Sequence, residues 1–196
     1  MKTPAFLLAC LLAAPVFAAP AAAPEERVEA NDTDKDGKPD EWKHYRGEFV
    51  VQMERDRDKD GKPEVWVYYE QYTIPPKEGE KGAQPKTGTR SVRSEVDRNG
   101  DGKPDMIRFM KDGKPDREQA DLNLDGRPDA WVYYNNKEGT KDLMIMDKNH
   151  DGRPDAWFYY GQGGTKLSGG KVDDDFDGTP DRVFGQVPEK ETRQPW

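Results

Sequence analysis

The chain has little of what usually holds 196 residues together. Its single cysteine, Cys10, lies in a leader-like segment, so neither a disulfide framework nor a cysteine metal site is expected. Hydrophobic residues make up 33% of the chain and charged residues 36%, with Leu, Ile and Val sparse. A composition of that kind ordinarily marks a disordered chain, because too little apolar surface is available to offset the ordering entropy. Histidine occurs twice, at His44 and His150, and serine only at Ser91, Ser94 and Ser168. No Ser/His/Asp grouping is visible, and no glycine-rich phosphate loop follows a strand and opens a helix. An enzyme is therefore not expected. Beyond the leader no stretch has helical periodicity, and no apolar run is long enough to span a membrane.

Residues 1–18 read as a signal peptide: Lys2 supplies a positive start, Phe6 to Phe17 an apolar run, and Val16-Phe17-Ala18 a small-residue cleavage site. Leu7-Leu8-Ala9-Cys10 resembles a lipobox, but the apolar segment ahead of Cys10 is short and continues past it. Simple cleavage is favoured over lipidation, which places the product in the periplasm, in the medium or at the cell surface. Residues 19–30 read as a linker, 31–185 as one repeat domain, and 186–196 as a loose tail.

What the chain does have is one phrase used six times. An acidic residue is followed at alternate positions by Asp or Asn and by Asp, then by Gly at position 6 and Pro-Asp or Pro-Glu at positions 8 and 9. The first copy carries Asp32, Asp34, Asp36 and Asp40 at positions 1, 3, 5 and 9, and the second Asp56, Asp58, Asp60 and Glu64. The third, fourth and fifth have asparagine at position 3: Asp97, Asn99, Asp101 and Asp105; Asp121, Asn123, Asp125 and Asp129; Asp147, Asn149, Asp151 and Asp155. The sixth returns to Asp173, Asp175, Asp177 and Asp181. More than half of the 39 acids stand at these positions, although the chain as a whole carries a net charge of only −8. A solvated acidic face would need no such register. Alternate oxygen-bearing side chains closed by a glycine suit a hard cation that takes six to eight oxygens in irregular geometry, so calcium is expected at about six sites. Magnesium is disfavoured because it keeps its waters and demands a tighter octahedron.

Between the acidic phrases lie aromatic runs, at 41–45, 65–69, 130–134 and 156–160, with a weaker version from Met106 to Met110. Short aromatic and β-branched runs bounded by Gly and Pro are strands. Each is followed by a glycine turn and a second strand, such as 49–54, 91–96 or 142–146. The expected fold is all-β: an antiparallel meander of hairpins of about 25 residues, joined by acidic loops and elongated or solenoid-like. One insertion, near 71–90, is rich in Pro, Gly, Lys and Glu and reads as a mobile loop. Asp112-Gly113-Lys114-Pro115-Asp116 has only the second half of the phrase and falls where a glycine turn is due, so it reads as a plain turn.

The loops resemble the nine-residue calcium loops of thrombospondin type 3 repeats and of integrin-type FG-GAP/VCBS propeller repeats. They lack the bidentate glutamate that an EF-hand places at position 12. The resemblance covers the six loops but not blade length, because the unit is far shorter than a four-stranded blade. It implies coordination by side chains 1, 3, 5 and 9 together with the backbone carbonyl of position 7, which is Lys38, Lys62, Lys103, Arg127, Arg153 or Thr179. Affinity on the order of 10⁻⁴–10⁻³ M would suit extracellular calcium. The expected role is a calcium-binding exported repeat protein, structural, adhesive or scaffolding at the cell surface, with a cell-envelope protein or polysaccharide as partner. The alternative is a carbohydrate- or envelope-polymer-binding module that stacks its repeated Trp and Tyr on sugars. Nucleic acid is not an expected partner for so acidic a chain.

Overall fold

The computed structural model describes residues 24–79, 82–189 and 193–195. The expected leader, 1–18, lies outside them. Twelve strands follow in chain order: β1 (Glu26–Asn31), β2 (Glu41–Arg46), β3 (Phe49–Arg55), β4 (Val65–Ile74), β5 (Lys86–Val96), β6 (Met106–Lys111), β7 (Lys114–Ala120), β8 (Ala130–Asn135), β9 (Thr140–Met146), β10 (Ala156–Tyr160), β11 (Leu167–Val172) and β12 (Arg182–Gly185). They form one antiparallel sheet whose spatial order is the sequence order, left open at β1 and β12. The all-β meander read from the sequence is thus the fold. No helix among the described residues is long and apolar enough to cross a membrane.

A meander sends its connections alternately to the two ends of the sheet. Here every odd-to-even connection is one of the acidic phrases, and the even-to-odd connections lie at the other end. All six acidic loops therefore lie in a row along one end, two strands apart, or roughly 10 Å from loop to loop. Asp112-Gly113 joins β6 to β7 with φ of 50° and 77°, the left-handed pair that a two-residue hairpin turn requires.

Register fixes which side chains share a face. Trp42, Glu54, Trp66, Glu95, Ile107, Gln119, Trp131, Ile145 and Trp157 lie side by side across β2–β10. Large aromatics thus alternate with polar residues from strand to strand in the first half and meet Ile145 in the second. The buried apolar cluster is Trp131, Leu143, Ile145 and Tyr159, all on that face of β8–β10. Each hairpin from β2–β3 to β10–β11 also shifts register at the same point: after His44, Tyr68, Phe109, Tyr133 and Tyr159. Such a bulge strengthens the local right-handed twist, so repeating it coils the sheet regularly.

Three boundaries depart from expectation. Residues 26–30, read as linker, belong to β1, which pairs with β2 from Glu26↔Arg46 to Asn31↔Glu41. Most of the insertion near 71–90 is not a mobile loop. It lengthens the β4–β5 hairpin, with Gln71↔Thr89 and Ile74↔Lys86 still in register. Tyr72 lies over Gly88, where any Cβ would meet its ring, and Arg90 stacks 5.0 Å from the same ring. The tail, read as loose, turns away at Gly185 (φ 64°) and crosses the face of the sheet. There Val187 packs on the apolar cluster, Arg193 pairs with Asp142, and Tyr133 donates its hydroxyl hydrogen to the Gln194 carbonyl. Gly169 in β11 permits that exit, because a Cβ there would run into the backbone of Phe184 and Gln186.

Candidate metal centre

Each loop is wound by its own carboxylates. The position-6 glycines Gly37, Gly61, Gly102, Gly126, Gly152 and Gly178 all have φ between 84° and 96°, where a side chain is strained. Each donates its N–H to Oδ2 of the position-1 aspartate at 2.7–2.8 Å. The position-5 N–H donates to the position-3 side chain at 2.9–3.3 Å. The position-7 N–H donates to the position-5 carboxylate at 2.8–2.9 Å. The position-9 carboxylate accepts from the N–H of position 2, for example Arg57 to Glu64 at 2.7 Å and Lys148 to Asp155 at 2.6 Å. Backbone donors thus aim the side chains of positions 1, 3, 5 and 9 and leave further lone pairs free on them.

Three of the loops gather three or more acids closely. Asp56, Asp58, Asp60 and Glu64 each place an oxygen within 4.8 Å of the others. Asp32, Asp34 and Asp36 do so in the first loop, and Asp173, Asp175 and Asp181 in the sixth. These are the loops with aspartate at position 3. In the fourth and fifth loops the asparagine amide donates instead to the position-5 carboxylate, Asn123 to Asp125 at 3.0 Å and Asn149 to Asp151 at 3.1 Å. That bond gives the position-5 carboxylate of these two loops a donor from the side chain at position 3.

The electrostatics reflect the crowding. Burial, with Asp58 and Asp56 beside it, raises the Glu64 carboxyl above the ordinary glutamate range. The Asp177 N–H pulls the Asp175 carboxyl down, but burial and the facing charges of Asp177, Asp181 and Asp173 outweigh it and leave it raised. Asp34 is lowered by the ammonium of Lys59, which reaches across from the second loop. A cavity of about 60 Å³ lies between these two loops, lined by Asp34, Asp36, Asp40, Asp56, Asp60 and Lys59 among others.

The loops are also locked to one another. The position-1 N–H of each loop donates to the position-9 carbonyl of the loop before it at 2.7–2.9 Å, from Asp56 to Asp40 through to Asp173 to Asp155. Positions 1 and 9 thereby extend the sheet ladder and are mostly buried: Asp56, Asp97, Asp105, Asp121, Asp129, Asp147, Asp155 and Asp173 are each no more than 6% exposed. Buried carboxylates are costly unless hydrogen-bonded and charge-compensated. The backbone supplies the hydrogen bonds, and a divalent cation would supply the compensating charge. The donor set therefore fits such an ion, which Asp56, Asp58, Asp60 and Glu64 could hold in the second loop.

Position 4 carries contacts that the sequence pattern does not reveal. Its residues Lys35, Lys59, Leu124, His150 and Phe176 are non-glycine yet have φ of 61–67°, a conformation costing about 1–3 kcal/mol each. From there Lys59 reaches Asp34, and His150 lies 3.3 Å from Asp129, each contacting the preceding loop. Only Gly100, at the same position of the third loop, hints at the left-handed backbone. His44, the other histidine, faces Glu54 at 3.2 Å. No protein-family model matches the chain, and no curated protein matches it.

Proposed function

We propose that the chain is an exported calcium-binding repeat protein whose open sheet serves as a scaffold, with a row of ions along one end rigidifying it. The observation that carries this reading is the convergence of Asp56, Asp58, Asp60 and Glu64 within 4.8 Å, with Asp56 itself only 4% exposed. With calcium at ten times its dissociation constant, each site would add about 1.4 kcal/mol. Six independent sites would add about 8 kcal/mol, comparable with the whole net stability of a domain. The positioning hydrogen bonds come from the loops' own backbone; the ion would supply charge and draw the free carboxylate oxygens inward.

Thermal melts in calcium and in EDTA test the reading. A large fall in melting temperature on chelation is expected, and coincident melts would defeat it. A second reading, binding of an envelope polysaccharide, rests on Trp42 and Trp66, which stay half-exposed on the face that the tail covers over β8–β10. Quenching of tryptophan fluorescence by cell-wall glycans would support it, and an unchanged spectrum favours the scaffold alone.

A further inference from the structure

The row of loops follows one rule along the chain: position 1 of each loop donates its N–H to the position-9 carbonyl of the loop before. The two ends of the row carry complementary halves of that rule. Among the described residues Asp32 has no preceding loop to meet, and Asp181 has no following one. We propose that β12 of one copy pairs with β1 of a second copy, so that the sheet and its row of loops continue from chain to chain.

Four observations favour a second copy as the occupant of these edges. The first is direction: β1 and β12 run opposite ways in the alternating sheet, so a like-oriented copy presents its β1 antiparallel to β12. The second is register. Inside the chain the residue after position 9 lies opposite the residue before the next position 1, as in Glu41↔Arg55 and Ala156↔Val172. The same register sets Arg182 opposite Asn31 and Val183 opposite Ala30 of the second copy. Val28 then becomes the diagonal neighbour of Val183 on the same face. These two valines are 57% and 63% exposed, and pairing would cover both.

The third observation is charge. Lys59 and His150, both at position 4, each contact an acid of the preceding loop. Lys35 holds the same position in the first loop, with the same left-handed backbone (φ 67°), and among the described residues no loop precedes it. The sixth loop ends the row with the crowded acids Asp173, Asp175 and Asp181. Across the junction Lys35 would meet Asp175 as Lys59 meets Asp34. The fourth is clearance: after Gly185 the chain crosses the face toward Val187 and the apolar cluster rather than along the outer edge of β12. The contact is heterologous, one end of a copy against the opposite end of the next, and such contacts build open filaments unless rotation closes them.

The test is a cross-linking pair. In the full chain carrying Cys10→Ser, Ala30→Cys with Val183→Cys would place the thiols in register across the junction. Within one chain they stand about 50 Å apart, at roughly 4.8 Å per strand, and cannot join. Mild oxidation should give a ladder of covalent dimers, trimers and longer species. It should form at least tenfold faster than with the out-of-register pair Glu26→Cys and Val183→Cys. Equal rates for the two pairs, or no ladder, overturn the proposal. Sedimentation of the chain without added cysteines, over a hundredfold range of concentration, provides a second readout. Mass should rise with concentration, and Lys35→Glu should weaken association at least fivefold. A monomer throughout, or association untouched by Lys35→Glu, counts against this seating of the copies.

Discussion

Strands β1–β4 and strands β8–β11 are built from the same hairpin unit, and acids are buried in the loops of both, yet only β8–β11 also bury apolar side chains. Every buried apolar side chain among the described residues lies in β8–β11, from Ala130 to Val172. In β1–β4 and their loops the buried residues are Asp40, Glu41 and Asp56, all acids. Glu41 is compensated inside the chain by Arg55 at 2.7 Å and Lys43 at 2.9 Å, which hold its carboxyl below the usual range. The loop types follow that line only in part, since the third loop, between β5 and β6, has asparagine at position 3 and the sixth, after β11, keeps four carboxylates. Beneath the apolar cluster the fourth and fifth loops have asparagine at position 3, while the first and second, with no such core nearby, keep four carboxylates each. The difference teaches that the same hairpin unit forms with an apolar cluster, where Trp131, Leu143, Ile145 and Tyr159 meet, and without one in β1–β4, where the proposed calcium would contribute most.

The largest expected effect of that difference is on local stability. Chelation should strip hydrogen-exchange protection from β1–β4 by about two orders of magnitude or more while β8–β11 lose far less. Uniform loss across the sheet would break the comparison. Next in size, Ile145→Ala should cost about 2–5 kcal/mol whether or not calcium is present, because it opens a cavity at a fully buried site. Trp66→Ala, at a half-exposed site in the acid-dependent half, should cost less, and its cost should grow in EDTA. Denaturant unfolding in both buffers measures the two.

A smaller effect should come from exchanging the loop types. Asp58→Asn is expected to weaken calcium at the second loop by about tenfold, or roughly 1.4 kcal/mol, and Asn149→Asp to strengthen the fifth by a similar factor, since ligand charge tunes such sites. Calorimetry of each variant reads the change directly. The smallest effect is a titration. Burial raises the phenols of Tyr69 in β4 and Tyr134 in β8, with the charges of Glu41 and Glu118 respectively adding to it. A raised phenol contributes stability that is complete below the unfolded-state pKa and lost as pH rises through the folded one. In EDTA Tyr69 should titrate near an ordinary phenol while Tyr134 stays raised, as ultraviolet difference spectra of Tyr69→Phe and Tyr134→Phe would show.

Much of this was legible in the residues. The alternation of aromatic runs with Asp-x-Asp-x-Asp-Gly phrases gives the strand order, because each phrase forces a turn and each run of β-branched and aromatic residues suits a pleated surface. The plain turn at Asp112-Gly113 was separable because positions 1 and 3 would be Arg108 and Met110. Other features depend on partners distant in sequence. Glu26 to Asn31 carries no apolar run of its own and becomes β1 only because β2 offers an edge. Gln71 to Ile74 and Lys86 to Arg90 are held by cross-strand pairing that outweighs their flanking Pro and Gly. Val187 and Gln194 find their places on a face that exists only after β8–β11 have formed. The contacts between loops stayed hidden for the same reason: position 4 holds Lys, Lys, Gly, Leu, His and Phe, and what unites them is backbone conformation rather than chemistry.

The central claim is that the six loops bind calcium and that the acid-rich half of the sheet depends on it. The most direct test is a calorimetric calcium titration of the apo protein. About six sites are expected, with the first, second and sixth loops filling before the three with asparagine at position 3. No heat beyond dilution, with folding unchanged in EDTA, would contradict the claim and leave the phrases as turns held by their own hydrogen bonds.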